Sequence, residues 1–284
     1  MLPVNELLNE KPGNCIRIMS ANLWASDHLI QERLSIMADI VEMLDVDILL
    51  LQEVAHTQRK LEEFTTKRYK IAALSPDVEE GWATAVLTKL PYETRDSIHY
   101  TLKESPFKQY AANAIIDIPG GNKVLSVSAH LVHGGLHEHA RLEQADIIDR
   151  EITKIVDTTN TLAILGGDMN CKPDASTARF LEGIEPYKYR TAQWTDVWNV
   201  AGTGQGYTSS PINRWARTTN STNGSRDPWQ SPERRIDRIL VRGWVYGKPL
   251  YPLKAHVIDQ NYIDYISAPY PPSDHWTVVA DLLY

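Results

Sequence analysis

The sequence has few cysteines and no long apolar segment. Cys15 and Cys171 are its two thiols among 284 residues. A disulfide framework is therefore excluded, the fold must depend on its hydrophobic core, and both thiols are expected to be free. No apolar run approaches the roughly 18–20 residues that cross a bilayer. Residues 1–14 lack the basic and apolar regions of an export signal. We therefore expect a cytoplasmic protein without a membrane span.

An excess of positive charge is also missing. The chain has 29 Lys and Arg against 36 Asp and Glu, a formal net charge of −7. This balance excludes a uniformly basic nucleic-acid coat but leaves room for a local basic groove. Hydrophobic residues make up 43% and charged residues 23%, which is typical of a globular protein. We predict an N-terminal extension over residues 1–14, a single catalytic domain over residues 15–284, and a monomer.

Six short apolar runs end at, or lie beside, polar side chains. They are strand-length and rich in β-branched residues, which predicts buried strands. Their polar neighbours include carboxylates, carboxamides and imidazoles, which a rigid sheet can bring together in one cleft. The runs cover residues 16–21, 48–51, 124–129, 162–167, 236–241 and 276–280.

Two amphipathic helices are predicted between these runs. Residues 30–44 and 138–156 carry apolar side chains at spacings of three and four. Residues 84–118 instead have the pattern of successive antiparallel strands. Both patterns fit an α/β (α+β) fold, a four-layer α/β/β/α sandwich in which two packed mixed sheets are flanked by helices.

Six short motifs together resemble a known family. In chain order they are Ser20–Trp24, Leu51–Val54, Ser128–Leu131, Gly166–Asn170, Arg235–Ile239 and Ser273–Trp276. This series resembles the endonuclease/exonuclease/phosphatase superfamily, which has the fold of pancreatic deoxyribonuclease, and the resemblance covers about residues 15–284. It implies the four-layer sandwich and Mg²⁺-dependent hydrolysis of a phosphoester, with Mn²⁺ as an alternative cofactor.

The resemblance implies a metal site built from oxygen ligands, which Mg²⁺ prefers. Glu53 is the expected direct ligand. Asn22 is expected to offer an amide oxygen to the metal or an N–H to the phosphate. Asp274 is expected to contact the metal through water. Many relatives carry a carboxylate two residues beyond the first Asn, where this chain has Trp24.

The same resemblance implies the catalytic groups. Asp168 would orient or deprotonate the attacking water, and Asn170 would hold that water or the phosphate. His275 would polarise a phosphate oxygen or act as an acid or base, with Asp237 orienting its imidazole. His130 would be a second imidazole donor to the phosphate.

Other polar residues near these motifs have less defined roles. Tyr110 and Asn113 are candidates for a phosphate contact that many relatives make before the His130 motif. Arg141 and Gln144, one helical turn apart, are expected to cap the helix or anchor a strand rather than to act in catalysis.

A long polar loop, residues 205–235, is the predicted substrate-binding element. It contains five arginines, two acidic residues and three aromatic residues, a combination that suits phosphates with stacked bases and suits an inositol phosphate or a lipid headgroup as well. Thr208, Arg214, Trp215 and Arg217 are the predicted substrate contacts.

The motifs of the C-terminal half are similar to those of 5′-type tyrosyl-DNA phosphodiesterases. Three hypotheses remain at this stage. The first is a Mg²⁺-dependent phosphodiesterase acting on nucleic acid or a DNA-end adduct. The second is a phosphatase or phosphodiesterase for a small or lipid phosphoester. The third is a catalytically silent binding member of the family.

Overall fold

The structure, a computed structural model, describes residues 11–54, 58–76, 83–103, 108–216, 233–242, 244–245 and 248–284. The strands are β1 (Cys15–Asn22), β2 (Ile48–Gln52), β3 (Lys70–Leu74), β4 (Ala85–Thr88), β5 (Tyr92–Thr94), β6 (Ile98–His99), β7 (Tyr110–Asp117), β8 (Lys123–His130), β9 (Leu162–Asp168), β10 (Thr195–Asp196), β11 (Asp237–Arg242), β12 (Trp244–Val245), β13 (Lys248–Pro249), β14 (Tyr251–Ile258) and β15 (Thr277–Leu283). The helices are α1 (Ile30–Met43), α2 (Gln58–Thr66), α3 (Glu138–Thr159), α4 (Ser176–Leu181), α5 (Val197–Ala201) and α6 (Gln260–Tyr265), with a 3₁₀ turn at Gly135–His137.

Two mixed sheets pack face to face. The first has the strand order β14-β15-β1-β2-β4-β3, and the second has the order β10-β11-β9-β8-β7-β5, with β6 also paired to β7. Each of these sheets contains one parallel pair, β1 with β2 and β8 with β9. The core between them includes Ile18, Leu50, Val124 and Ile164.

Helices cover the outer faces of the two sheets. Leu34 and Met37 of α1 pack with Leu49 of β2 on the first sheet. Ile148 of α3 packs with Leu165 of β9 on the second sheet. One face of each sheet packs on the other sheet and the opposite face packs on helices, so the central strands are buried on both faces. Alternate side chains of a strand point to opposite faces, and both sets are therefore apolar. The predicted four-layer sandwich is confirmed.

Most predicted elements are present, with one change of sheet. The six apolar runs correspond to β1, β2, β8, β9, β11 and β15, and the two amphipathic segments correspond to α1 and α3. Within residues 84–118, β5 and β6 pair antiparallel with β7 as expected. The strand β4 instead joins the first sheet beside β2. Among the described residues, no helix is both long and apolar enough to span a bilayer.

Candidate active site

The ends of five strands meet at one edge of the sandwich. In the first sheet, Asn22 at the end of β1 is in register with Gln52 at the end of the parallel strand β2. In the second sheet, the same relation holds between His130 and Asp168 at the ends of β8 and β9. Asp237, at the start of β11, is in register with Asp168. The residues just before β15, a strand of the first sheet, complete this group.

Two glycines allow close approaches beneath this edge, Gly166 to the facing sheet and Gly167 to the neighbouring strand β8. A Cβ on Gly166 would lie 2.4 Å from Leu50 Cδ1 of the facing sheet. A Cβ on Gly167, where φ is +153°, would lie 1.8 Å from the carbonyl oxygen of Ala129. Only glycine fits so close an approach of main chain and side chain. The glycine pair therefore sets the depth at which Asp168 stands.

Asp168 is the centre of the site. Its Oδ2 lies 3.3 Å from Asn22 Nδ2, 3.5 Å from His130 Nε2 and 3.8 Å from His275 Nε2. Its Oδ1 accepts a hydrogen bond of 2.8 Å from the backbone N–H of Asn170. One carboxylate oxygen is thus anchored by the main chain, and the other faces three potential hydrogen-bond donors.

Asp237 and His275 form a buried pair beside Asp168. The distance from His275 Nδ1 to Asp237 Oδ2 is 2.9 Å. Burial disfavours the imidazolium, but Asp237 and Asp168 outweigh it and raise the pKa of His275 well above its usual value. The pair therefore favours the imidazolium form, with Nε2 directed towards Asp168.

The pKa of Asp168 also depends on Asp237 and His275. Burial raises the pKa of Asp168 and the Asp237 carboxylate raises it further, while the charges of His275 and His130 oppose the increase. Oδ1 of Asp237 has no hydrogen-bond partner among the described residues. The site therefore concentrates more buried negative charge than its own donors satisfy.

Glu53 and Asn22 lie side by side at the ends of β2 and β1. Asn22 Nδ2 donates to Glu53 Oε1 at 2.9 Å, and Glu53 Oε2 accepts from the backbone N–H of Ala25 at 2.7 Å. Asn22 Oδ1 accepts from the backbone N–H of Trp24 at 2.9 Å. That oxygen keeps a second lone pair, so both predicted roles of Asn22, an amide oxygen for the metal or an N–H for the phosphate, stay predictions.

Asp274 belongs to the same group of acids. Burial raises the pKa of Asp274 to about 6, and the charges of Glu53 and Asp168 contribute to the increase, against the opposing effect of His275. Mutually repelling carboxylates of this kind fit a hard divalent cation, whose charge would relieve the repulsion.

A second possible cation group overlaps the catalytic pair. Among the described residues, ligand atoms of Asp168, Asp237 and His275 lie within 4.8 Å of one another. The Nδ1–Oδ2 hydrogen bond already uses two of these atoms, and Mg²⁺ prefers oxygen to imidazole nitrogen. This trio therefore fits proton handling better than it fits a Mg²⁺ site, and the metal ligands predicted on the Glu53 side stay predictions.

Asn170 has a left-handed backbone, with φ of +49°, and Glu53 has φ of +53°. Such conformations are uncommon for residues other than glycine and cluster at functional sites. The Asn170 side-chain amide donates to the carbonyl of Leu131 at 2.9 Å, which ties the loop after β9 to the loop after His130. The structure thus places Asn170 beside Asp168, with part of its amide used to join two catalytic loops.

The predicted substrate contacts include both buried and exposed residues. Thr208 is 0% exposed, and its Oγ1 accepts from the backbone N–H groups of Ile236 and Asp237 at 3.1 and 3.0 Å. Thr208 therefore supports the backbone at Asp237, and its predicted contact with substrate stays a prediction. Arg217 lies outside the described residues.

Trp215 is only 5% exposed, and its predicted contact with substrate likewise stays a prediction. Its indole N–H donates to the carbonyl of Pro271 at 2.8 Å, and its ring stacks on Trp24 with centroids 5.8 Å apart. Arg214 is exposed, with its Cζ 4.3 Å from the centre of the Trp215 ring. Arg214, rather than Trp215, is therefore the residue of this pair that a substrate can reach.

The other polar candidates have structural partners. The fully buried Asn113 donates to the carbonyl of Asp96, and Tyr110 stacks on His99 with centroids 4.8 Å apart. The phosphate contact expected of Asn113 or Tyr110 stays a prediction without a contact that supports it.

Arg141 and Gln144 anchor the segment after β8, as expected. Arg141 donates to the carbonyls of Val132 and Gly134 at 3.1 and 2.7 Å, and Gln144 Oε1 accepts from the backbone N–H of Val132 at 2.9 Å. The first turn of α3 therefore holds the chain immediately after His130.

One supporting residue was missed by the sequence analysis. The fully buried Tyr100 donates through its hydroxyl to the carbonyl of His130 at 2.6 Å and accepts from the His130 backbone N–H at 3.2 Å. Gln109 Nε2 adds a bond of 3.3 Å to the same carbonyl. No motif marks Tyr100, because its partner is a backbone group 30 residues away.

The comparisons with known proteins identify the family of this chain. The sequence profile described as "Endonuclease/Exonuclease/phosphatase family" matches residues 19–275. The chain belongs to this family. The predicted enzyme class, a metal-dependent phosphoric ester hydrolase of the phosphodiesterase and nuclease type, is therefore confirmed at the level of this family.

A curated relative is the 5′-tyrosyl-DNA phosphodiesterase of Caenorhabditis elegans, which is 24% identical over 269 residues. The alignment covers 93% of this chain and 66% of that protein, so the chain spans just under two thirds of the relative's length. Two solved structures share the fold. Truncated C. elegans TDP2 has a TM-score of 0.70 at 21% identity, with 97% and 100% of the two chains covered. D. rerio TDP2, complexed with single strand DNA product, has a TM-score of 0.71 at 18% identity, with 94% and 98% covered.

Proposed function

We propose that this protein is a Mg²⁺-dependent phosphodiesterase that hydrolyses a nucleic-acid phosphoester, with a DNA-end adduct such as a 5′-phosphotyrosyl group as the leading substrate. The observation that supports the chemistry best is the position of Asp168 Oδ2, which faces Asn22, His130 and His275 at 3.3, 3.5 and 3.8 Å. A base and three donors converge there on a space that a phosphate and an attacking water can share.

Asp168 acts as the general base in this mechanism. Its anchored Oδ1 keeps the carboxylate oriented through Asn170, and Oδ2 takes the proton of the attacking water. Its raised pKa makes it a stronger base than an exposed carboxylate. The water oxygen forms the new bond to phosphorus, and the bond from phosphorus to the leaving oxygen breaks.

His275, His130 and Asn22 stabilise the charge that develops on the phosphate. The protonated His275, held through Nδ1 by Asp237, donates from Nε2 to a non-bridging oxygen. Donors fixed before the reaction need no reorganisation in the transition state, which is why they lower the barrier. His130 and the Asn22 amide add two further N–H donors from neighbouring strand ends.

Glu53 and Asp274 would hold the metal. Mg²⁺ bound to this pair would supply Lewis-acid stabilisation of charge on the phosphate and on the leaving oxygen. Burial is the main cause of the raised pKa of Asp274, and the added repulsion from Glu53 and Asp168 supports a cation at this position. Trp24 in place of a carboxylate leaves Glu53 as the principal ligand on this side.

The substrate class is inferred from two observations. The exposed Arg214 guanidinium lies on an aromatic cluster beside Asn22 and Glu53, where it can meet a phosphate of an extended substrate. The relatives with a similar fold include proteins named for 5′-tyrosyl-DNA phosphodiesterase activity. An acidic protein with a local cation at the cleft suits a focused anionic substrate.

The test is turnover of four substrates: an oligonucleotide with a 5′-phosphotyrosine, the same oligonucleotide without it, an inositol phosphate, and sphingomyelin. Each is assayed with Mg²⁺ and with EDTA, for the wild type and for Glu53→Gln. We expect preference for the phosphotyrosyl oligonucleotide and a loss of about 100-fold or more in the variant, the scale reached when one electrostatic stabiliser of a transition state is removed. Glu93→Gln is the matched control, because Glu93 is exposed on β5 and pairs with Arg95.

Other outcomes separate the alternative hypotheses. Preference for inositol phosphate or sphingomyelin, with turnover that is insensitive to salt, would favour the small or lipid phosphoester, because binding of a polyanion weakens steeply with salt. Binding of the oligonucleotide without any turnover in Mg²⁺ or Mn²⁺ would show a silent binding member and refute the proposal.

A further inference from the structure

Arg33 is a buried cation on the inner face of α1. It is 0% exposed. Its Nε donates to the carbonyl of His28 at 2.8 Å, its Nη1 to those of Leu23 and Pro272 at 3.0 Å each, and its Nη2 to those of Ser26 and Trp24 at 2.6 and 3.4 Å. A guanidinium has five N–H donors, and here every one meets a main-chain carbonyl.

This pattern differs from that of an ordinary buried ion pair. Within the described part of the chain, no carboxylate accepts a hydrogen bond from Arg33, so the cost of burying its charge is offset by carbonyl dipoles. The nearby carboxylates of Asp274 and Glu53 act on it through space, although burial is the larger influence and lowers the pKa of Arg33. A positive charge thus lies fixed behind the acidic group of the site.

The five carbonyls belong to two separate segments. Four of them lie in residues 23–28, which connect Asn22 at the end of β1 to α1. The fifth is that of Pro272, two residues before Asp274. One planar side chain therefore joins the loop that follows the first strand to the loop that carries Asp274 and precedes the last strand.

The first of these loops orients the residues of the Glu53 side. The backbone N–H of Trp24 donates to Asn22 Oδ1 at 2.9 Å, and that of Ala25 donates to Glu53 Oε2 at 2.7 Å. The Cζ of Arg33 also lies 4.6 Å from the centre of the Trp24 ring, on which Trp215 stacks. The peptide groups held by Arg33 are thus the same ones that position Asn22 and Glu53.

From this geometry we propose that Arg33 is a positioning residue for the metal side of the active site, which sets the separation of Glu53 and Asp274 by holding on one guanidinium both the loop that hydrogen-bonds Glu53 and the loop that carries Asp274. The inference rests on the proposed function for the identity of the cation. It does not depend on the substrate. Residues that support metal ligands in this way typically change metal affinity by about 10- to 100-fold when they are replaced.

Arg33→Lys is the sharpest substitution. Lysine keeps the positive charge but presents three donors from a single nitrogen, which cannot span the same planar set of acceptors. Arg17→Lys is the matched control. Arg17 is another buried arginine of the same half of the molecule, and it donates to Asp281 and to the carbonyl of Leu44. It lies on β1 five residues before Asn22, about 16 Å along the strand.

Two measurements on the full chain distinguish positioning from general stabilisation. The first is amide hydrogen exchange in EDTA, followed for residues 23–28 and, because residues 271 and 272 are prolines without an amide hydrogen, for residues 273–274 of the second segment. The second is the melting temperature as a function of Mg²⁺ concentration, which gives a midpoint for metal binding without any substrate. Turnover adds kcat and KM for each variant.

We expect Arg33→Lys to speed exchange in both segments and to raise the Mg²⁺ midpoint by about tenfold or more, with the loss of turnover largely restored by high Mg²⁺. Arg17→Lys should lower the melting temperature while leaving exchange in those segments and the Mg²⁺ midpoint unchanged. Exchange in Arg33→Lys that matches the wild type in both segments, or equal shifts of the Mg²⁺ midpoint in the two variants, would overturn the inference.

Failure of the proposed function gives a different result. A wild type whose melting temperature does not respond to Mg²⁺ or Mn²⁺ would refute the metal site and the assignment of Arg33 to it. Faster exchange confined to the two segments in Arg33→Lys would then assign the residue to loop positioning alone. If Arg33→Lys does not fold, Arg33→Gln, which removes the charge and keeps one planar amide, provides the same comparison.

Discussion

Replacing Asp237 with asparagine tests the part that its charge plays in holding His275. The side chain is 1% exposed, and its Oδ2 lies 2.9 Å from His275 Nδ1. Asparagine has nearly the same shape and can still accept from Nδ1 through its amide oxygen. The substitution therefore removes the negative charge and leaves the geometry of β11 in place.

The expected loss of activity follows from the strength of this bond. A hydrogen bond to a charged group contributes about 1.5–3 kcal/mol. If the bond acts fully in the transition state, its loss lowers kcat by about 10- to 150-fold, at 1.36 kcal/mol per factor of ten. The melting temperature should change little, because the lost attraction between Asp237 and His275 is offset by the lost repulsion with which Asp237 raises the pKa of the buried Asp168. Removal of one of two neighbouring carboxylates relieves that strain.

The assay is the initial rate with the best phosphoester substrate at saturating Mg²⁺, together with the melting temperature of each protein. Asp117→Asn is the control, since Asp117 forms a half-exposed pair with Lys123 at the opposite end of β7 and β8. Wild-type kcat in Asp237→Asn would refute the role of the Asp237–His275 pair. A loss of kcat accompanied by a marked fall in melting temperature would show that Asp237 acts on folding instead.

Three further predictions concern residues that support the fold and the site. Tyr100→Phe removes a hydroxyl that anchors the backbone of His130. It should lower the free energy of unfolding, measured by urea denaturation, by about 1 kcal/mol and reduce kcat with little change in KM. Unchanged stability and kcat would contradict this prediction. Burial raises the pKa of Cys171 to about 11, so its thiolate form gains almost nothing between pH 7 and pH 9, and alkylation over that range should stay slow until denaturant is added; rapid labelling of the native protein would count against it. Gly167→Ala should prevent folding or destabilise the protein by several kcal/mol, since its Cβ would lie 1.8 Å from a backbone oxygen, whereas Gly13→Ala, with no atom within 4 Å of its Cβ, should be tolerated; similar melting temperatures for the two variants would refute the close approach.

Much of the fold was predictable because its strands are buried on both faces. β2 is apolar up to Gln52 at its end, and β1 is buried along its whole length with Arg17 and Ser20 as its only polar residues before Asn22; such runs are recognisable without knowledge of their neighbours. The choice of sheet was not predictable. β4 pairs with β2 while β5 and β6 pair with β7, and these partners lie far apart in the chain, so local pattern carries no information about them.

The candidate site shows the same division. Glu53, Asp168, Asp237 and His275 were predicted because motifs at strand ends identify residue types that phosphoester chemistry needs. The interpretation of the loop at residues 205–235 was weaker. Thr208 and Trp215 belong to a polar loop, yet both side chains are buried. The guanidinium of Arg235 donates to Asp196 and Asn199.

By itself, the sequence determined which residues could perform the chemistry and the kind of strands that would end beside them, because apolar periodicity and short motifs are local properties. Tertiary structure alone decided how those residues are supported. Arg33 interrupts the apolar stripe of α1, and only the fold shows that it bonds to carbonyls as far apart as Leu23 and Pro272. Tyr100 supports His130 in the same manner. Such contacts join backbone atoms that any residue type offers, so their partners depend on packing in three dimensions and leave no pattern in the chain.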